Sequence, residues 1–264
     1  MTDILEIQDL SKRFSSGIFR TQTTQAVDHV TLSLERGKTF GLVGNSGCGK
    51  TTLSRMIMNT LRPTSGEIRF GGRDIHTFNR REQLDYHRRV QMIFQNPEAS
   101  LDPSMRICDS LLEVLKIHRI GESRDERMEN ILQTMRQISI SENLLSRYPH
   151  QISGGEGQRL VICRALLLKP EILLLDEPTS MLDVSVQAYI MNILRDLQNE
   201  LGLTYLYITH DIELLGWICH SIAVMHKGKI VECGSRDQII ESPNHPYTKE
   251  LLHSYIHWDE RTAI

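Results

Sequence analysis

The chain has 264 residues, 40% hydrophobic and 24% charged, with a formal net charge of -3. That is room for one large domain or two small ones around a sizeable core, and the charge balance excludes the strongly basic footprint of a general nucleic-acid binder. No run of about 18 apolar residues exists to span a membrane. The opening MTDILEIQDL lacks the basic segment of a secretory signal, and the five cysteines (Cys48, Cys108, Cys163, Cys219, Cys233) are scattered without a C-x-x-C, as reduced cytosolic thiols would be.

In chain order, ILEIQDL and VDHVTLSL alternate enough to predict strands, and KTFGLVG predicts a short apolar strand running into glycine. A helix is expected over residues 50–61. SGEIRFGG reads as a strand ending in a Gly-Gly turn, and VQMIFQ at 90–95 as another strand. From Ser104 to about Leu168 the pattern turns helical and charged, with a helix reading from Leu160 onward. EILLLDEP and LTYLYITHD return as strands, separated by a helix over 184–200. SIAVMHKGKIVECGS predicts a hairpin about Lys227-Gly228. The runs Ile172–Leu175 and Leu203–Ile208 are apolar nearly throughout, which suits strands buried on both faces of a parallel sheet. The expected class is therefore α/β, with the stretch between Gln95 and Arg164 as a helical insertion.

GNSGCGKT, Gly44–Thr51, fits G-x-x-x-x-G-K-[ST] between a predicted strand and a predicted helix. Its members Gly44, Asn45, Ser46, Gly47, Cys48 and Gly49 would wrap backbone N–H groups around phosphates. Lys50 would reach the β- and γ-phosphates, and Thr51, with Thr52 beside it, would ligate Mg²⁺. Asp176 and Glu177 end a buried strand in ILLLDEP; there an Asp suits metal ligation and the next acid suits a general base. The rival reading of that pair is a helix cap. Gln95 and His210 stand at other strand ends, and Asp183 follows in SMLD. A lone His is more often structural, but carboxyl ends of parallel strands converge on the ligand crevice. In ISGGEGQR, Ser153, Gly154 and Gly155 would form a second anion site at a helix start. One chain with one P-loop has no second phosphate for it, whereas a dimer partner does.

The order of P-loop, Gln, S-G-G signature, D-E pair, D-loop and switch His resembles the ATP-binding cassette of ABC transporters over essentially the whole chain. The resemblance implies a RecA-like P-loop NTPase core at 1–95 and 165–240, with an N-terminal antiparallel β subdomain. It also implies one ABC domain over about 4–250, an inserted α-helical subdomain at 96–164 and a short tail at 241–264. By the same resemblance Glu177, His210 and Gln95 are catalytic, and Thr51, Gln95 and Asp176 hold Mg²⁺. Ser153, Gly154, Gly155 and Glu156 face the partner's ATP, and Asp183 crosses the dimer interface. Phe14 lies where the family stacks an aromatic on adenine, worth ~1–3 kcal/mol by analogy with base stacking; a core or edge aromatic is the alternative there.

The segments QMIFQNPEASLDP, RYPHQISGG and SPNHPYTKELL further resemble the peptide and nickel importer group. This implies a second, different ATPase subunit, two transmembrane permease subunits and an extracellular solute-binding protein, with the chain peripheral on the cytoplasmic membrane face. The tail after Thr248 is short and has no cysteine, so no iron–sulfur cluster is expected and the tail resembles nickel-type subunits. Asn96 to Arg106 is the expected docking surface for a membrane subunit, against an ordinary solvated loop. Glu156 replaces the usual Gln, Gly157 a bulkier polar residue, Met181 the usual Ala, and Ser104 a common basic residue. An acid at 156 would repel a polyanion unless it points away or pairs with a base. The expected function is an importer ATPase for nickel or short peptides. A non-transport ABC ATPase acting on nucleic acid or ribosomes is the alternative.

Overall fold

The computed structural model describes residues 3–16, 22–97 and 100–253. Residues 254–264 of the expected tail, and 98 and 99 of the expected docking surface, lie outside the described residues. The chain divides into two compact units, Met1–Asn79 with Thr204–Ile264, and Arg80–Leu203.

In the first unit, β1 (Asp3–Ser16) pairs antiparallel with β2 (Gln22–Glu35) and with β4 (Ser65–Phe70), which carries the short β5 (Arg73–Asp74). Ile4, Leu5, Ile7 and Leu10 of β1 and Val27, Val30, Leu32 and Leu34 of β2 are buried. Leu5 and Ile7, and Val30, Leu32 and Leu34, follow the alternation of a strand, and register shifts such as that between Ile7 and Leu10 break it elsewhere. A second set of strands surrounds β3 (Thr39–Val43), which pairs in parallel with β8 (Thr204–Thr209) and β9 (Ser221–His226). Every residue of β3 and β8 is buried, the condition in which apolar runs replace alternation. The β9 strand turns at Lys227 (φ 47°) and Gly228 (φ 86°) into β10 (Lys229–Ser235); two left-handed residues match the twist of a two-residue hairpin.

Helix α1 (Lys50–Ile57) leaves β3 through the glycine-rich loop. It stops short of the expected residue 61 because Asn59 takes φ 54° and the N–H groups of Thr60 and Leu61 turn back to the Arg55 carbonyl, a left-handed C-terminal stop that Asn tolerates.

In the second unit, α2 (Arg80–Arg89) leads into β6 (Val90–Ile93), which pairs in parallel with β7 (Ile172–Asp176) from Val90↔Ile172 to Ile93↔Leu175. Strand β6 ends at Ile93 and leaves Phe94 and Gln95 exposed beyond it. The expected helical stretch contains α3 (Ile107–Ile117), α4 (Arg124–Gln137) and α5 (Gly154–Leu166). Helix α5 begins at the glycines themselves with Ser153 as its cap, the helix start at which the signature glycines were expected; the run of good helix formers alone marks it only from Leu160. The long α6 (Val184–Leu201) starts on Asp183 and ends at Gly202, whose φ of 66° closes it.

Short helices α7 (Ile212–Ile218) and α8 (Arg236–Glu241) return to the first unit, and a helical stretch follows over 246–253. Among the described residues no helix is long and apolar enough to cross a membrane.

Candidate functional site

The loop Gly44–Gly49 joins the buried β3 to α1. Its glycines are set by neighbours as well as by conformation. A Cβ on Gly44 would lie 2.2 Å from the Met225 carbonyl oxygen, and one on Gly49, already at φ 118°, 2.3 Å from that of Ala26. Gly47 has open space around it but takes φ 76°, a backbone choice that disfavours other residues. Lys50 is buried, and its ammonium donates to the carbonyls of Gly44 and, at 3.2 Å, Asn45. No side chain caps α1 and no acid stands in its first turn. The helix end therefore keeps unsatisfied N–H groups and positive potential for an anion supplied from outside.

Phe14 on β1 is 43% exposed with Lys12 Nζ 5.3 Å from its ring centroid. It is not a core aromatic. His210 is exposed immediately beyond β8, on the same unit. Next to it Asp211 caps α7 by accepting from the Glu213 and Leu214 N–H groups.

The second unit brings Gln95 and the acidic pair together through a residue that the motif pattern did not single out. Gln95 Nε2 donates to Ser180 Oγ at 3.0 Å, and Ser180 Oγ donates to the Glu177 carbonyl at 3.2 Å. Only a hydroxyl two residues after the Pro178 turn signalled this bridge. Asp176 is half-buried at the end of β7, and Glu177 holds φ 49°. A non-glycine residue in the left-handed region carries strain, which persists where surrounding structure over-determines the backbone.

The signature loop opens α5 differently from the P-loop. Ser153 Oγ accepts the Glu156 N–H at 3.3 Å, while the Glu156 carboxylate accepts from both the Ser153 N–H and its hydroxyl at 2.8 Å. This reciprocal capping box draws Glu156 back onto its own helix terminus. The Ser153 N–H and hydroxyl, with Arg147 and Arg159 nearby, hold its carboxyl below the usual glutamate value. Gly155 leaves room for Val186, which would lie 2.8 Å from an added Cβ. Gly157 is buried, its Cβ direction facing Pro97 at 3.6 Å. Asp183 caps α6, accepting from the Ser185 hydroxyl and the Val186 N–H, and both bonds lower its pKa. Ser153, Glu156, Arg159, Met181 and Asp183 line one cavity of about 380 Å³.

These two glycine-rich helix starts, the acid pair and the strand-end residues define a nucleotide-binding cassette. The chain belongs to the ABC transporter family: the profile described as "ABC transporter" matches residues 27–180, and one described as "Oligopeptide/dipeptide transporter, C-terminal region" matches 231–263. It is 42% identical over 250 residues to "Oligopeptide transport ATP-binding protein OppF" of Bacillus subtilis (strain 168), covering 94% of this chain and 81% of that protein. It is equally 42% identical over 253 residues to "Dipeptide transport ATP-binding protein DppF" of Lactococcus lactis subsp. cremoris (strain MG1363), covering 95% and 80%.

Among solved structures it is similar to cbiO1 from Clostridium perfringens, part of the ABC transporter complex cbiONQ (TM-score 0.80, 27% identity, 92% of each chain). It is also similar to the dimeric MJ0796 cassette bound to ADP and Pi (TM-score 0.78, 26% identity, 88% of this chain and 98% of that one). The fold is that of the P-loop NTPase cassette, and the chain is an ATP hydrolase of the ABC transporter type. The amide oxygen of Gln95 and the carboxylate of Asp176 in the second unit, and the hydroxyl of Thr51 in the first, are each hard oxygen donors of the kind that suits Mg²⁺.

Proposed function

We propose that this chain is the ATP-hydrolysing subunit of an importer for short peptides. Its relatives' names support the peptide and its matched C-terminal region the subgroup; nothing in these comparisons speaks specifically for nickel. The observation that carries the nucleotide role is the uncapped, acid-free start of α1 with Lys50 buried inside it.

In this reading Lys50 and the N–H groups of Gly47 to Thr52 bind the phosphates, and Phe14 stacks on adenine. Mg²⁺, held by Thr51, Gln95 and Asp176, would supply charge neutralisation on the phosphate oxygens. Glu177 takes the proton of the attacking water, His210 holds the γ-phosphate, and Gln95 orients the water through its place on the Ser180 bridge. The strained backbone of Glu177 supports a carboxylate fixed in advance of the reaction. Ser153 to Glu156 and Asp183 face the ATP of a second, different cassette. Segment 96–106, within the helical insertion 96–164, receives one of two permease subunits at the cytoplasmic face of the membrane. An extracellular binding protein delivers the solute.

The test is ATPase activity of the assembled transporter with short peptides or nickel as the solute, and with Glu177→Gln as the blank. Stimulation by peptides supports the reading. Stimulation by nickel alone replaces the solute and keeps the mechanism. Absence of ATPase in any condition with Glu177 intact overturns it.

A further inference from the structure

The P-loop is fastened from the C-terminal side of the chain. The peptide plane between Gly44 and Asn45 is held at both edges. Its carbonyl accepts from the Lys50 ammonium, and its N–H donates to the Tyr247 hydroxyl at 3.2 Å. A peptide group is rigid and planar, so fixing the N–H also fixes the direction of the oxygen that holds Lys50.

Tyr247 is buried, with its ring tilted against His226 at a centroid distance of 3.9 Å. His226 ends β9, directly after Met225, whose carbonyl presses on Gly44. One turn later the Gly228 N–H donates to the Cys48 carbonyl at 2.8 Å. The segment that carries Tyr247 is itself tied to β10. Glu232 accepts the N–H groups of Asn244 at 2.7 Å and His245 at 3.1 Å, and His245 Nδ1 accepts from the Tyr247 N–H at 3.1 Å. A continuous set of contacts thus runs from β10 through residues 244–247 to the first peptide of the P-loop, all within one compact unit.

We propose that Tyr247 is a positioning residue for the nucleotide: its hydroxyl orients the Gly44–Asn45 peptide and so sets the resting place of Lys50 before ATP arrives. The inference rests on the reading of this loop as the ATP site. A buried aromatic that served packing alone would need the ring and not the hydroxyl. Here the hydroxyl is aimed at a backbone N–H, and removing it leaves that donor without its partner. A loop whose first peptide is free to rotate must be ordered by the nucleotide itself, and that ordering is subtracted from affinity.

The experiment compares Tyr247→Phe with wild type in the full chain. ATP affinity is measured by calorimetry, KM and kcat in the assembled transporter, and thermal melting without nucleotide. Loss of one hydrogen bond predicts an ATP Kd and KM raised about fivefold. The ring is retained against His226, so melting should fall only by the one lost hydrogen bond, about 2–4 °C, and kcat at saturating ATP should stay within about twofold. Glu232→Gln, which loosens the turn while sparing the phenol, should shift KM in the same direction by less.

Wild-type affinity in Tyr247→Phe, or a fall in kcat with KM unchanged, overturns the inference while leaving the nucleotide reading intact. A wild-type chain that binds no ATP overturns both, and so the two failures are distinguishable.

Discussion

Two helices of this molecule begin on glycine-rich loops, and they solve the problem of the orphan N-terminal amides in opposite ways. At α1 the cap is Gly49, no side chain closes the helix, and the first turn holds Lys50 and no acid. At α5 the cap is Ser153, and Glu156 in the first turn supplies a carboxylate that returns to it. One terminus is left open, for a nucleotide to complete in the proposed reading; the other is already completed from within. Glycine content alone does not make an anion site. The charge placed in the first turn decides whether the terminus has potential left to offer.

The comparison is broken most severely from the α1 side. Lys50→Ala and Glu177→Gln should each lower ATPase activity of the assembled transporter by about a hundredfold or more, the range for losing a phosphate clamp or a general base. Lys50→Ala should also weaken ATP binding, whereas Glu177→Gln should leave binding in place and remove turnover. If Glu177→Gln retains most of the activity, the base lies elsewhere. From the α5 side the expected effect is smaller and of opposite sign. Glu156→Gln keeps the capping geometry and removes a negative charge that faces the partner's polyphosphate in the proposed dimer. Repulsion of ~1 kcal/mol after salt screening corresponds to about fivefold tighter ATP-driven association with the partner cassette. Association and turnover identical to wild type would show that the carboxylate does not meet the nucleotide.

Much of this was legible in the residues. The G-x-x-x-x-G-K-[ST] spacing marks the P-loop, and the ends of the buried runs of β7 and β8 mark Asp176, Glu177 and His210 as candidates. The parallel strands were equally plain, because β3, β7 and β8 are apolar nearly throughout. Helix α2 escaped pattern reading because only Tyr86 of RREQLDYHRR is buried, which leaves no apolar stripe to detect. At α5 helix-forming residues alone signal a helix only from Leu160, since glycine argues against helix; the anion-site reading of Ser153 to Gly155 puts the start where the helix begins. Yet Ser153 and Glu156 stand at the S-x-x-E spacing of a capping box, a signal present in the sequence that also answers where the unusual acid points. The Ser180 bridge had only a hydroxyl after the Pro178 turn to signal it, and the Tyr247 contact had no signal. Each depends on residues far apart in sequence meeting through tertiary folding.

Stability offers a finer test of the α5 cap. Ser153→Ala removes the hydroxyl that accepts the Glu156 N–H and donates to its carboxylate. A lost N-cap costs ~1 kcal/mol, so melting of the isolated chain should fall by about 2–4 °C. Glu156→Gln should fall by less, since Gln also completes the box. Equal melting for Ser153→Ala and wild type would mean that solvent satisfies this terminus as well as Ser153 does.

The smallest expected effect is a pH dependence of the same cap. The Ser153 N–H first, and then its hydroxyl, lower the Glu156 pKa in the folded chain. A carboxyl with a depressed folded value binds protons more readily when unfolded, so its contribution is fully present above the ordinary glutamate value and is lost as pH falls through the lower folded one. The Ser153–Glu156 hydrogen bonds lie at the surface, so screening keeps the contribution small. The readout is therefore local: hydrogen exchange at the Ser153 amide, compared with that of Glu156→Gln. In wild type, protection of this amide, corrected for intrinsic exchange, should drop as pH falls below the ordinary glutamate range, while in Glu156→Gln it should stay flat. No such gate exists at α1, where the first turn carries no acid to titrate. Amides at the P-loop helix should therefore show no matching step, and a matching step there would remove the electrostatic contrast between the two helix starts.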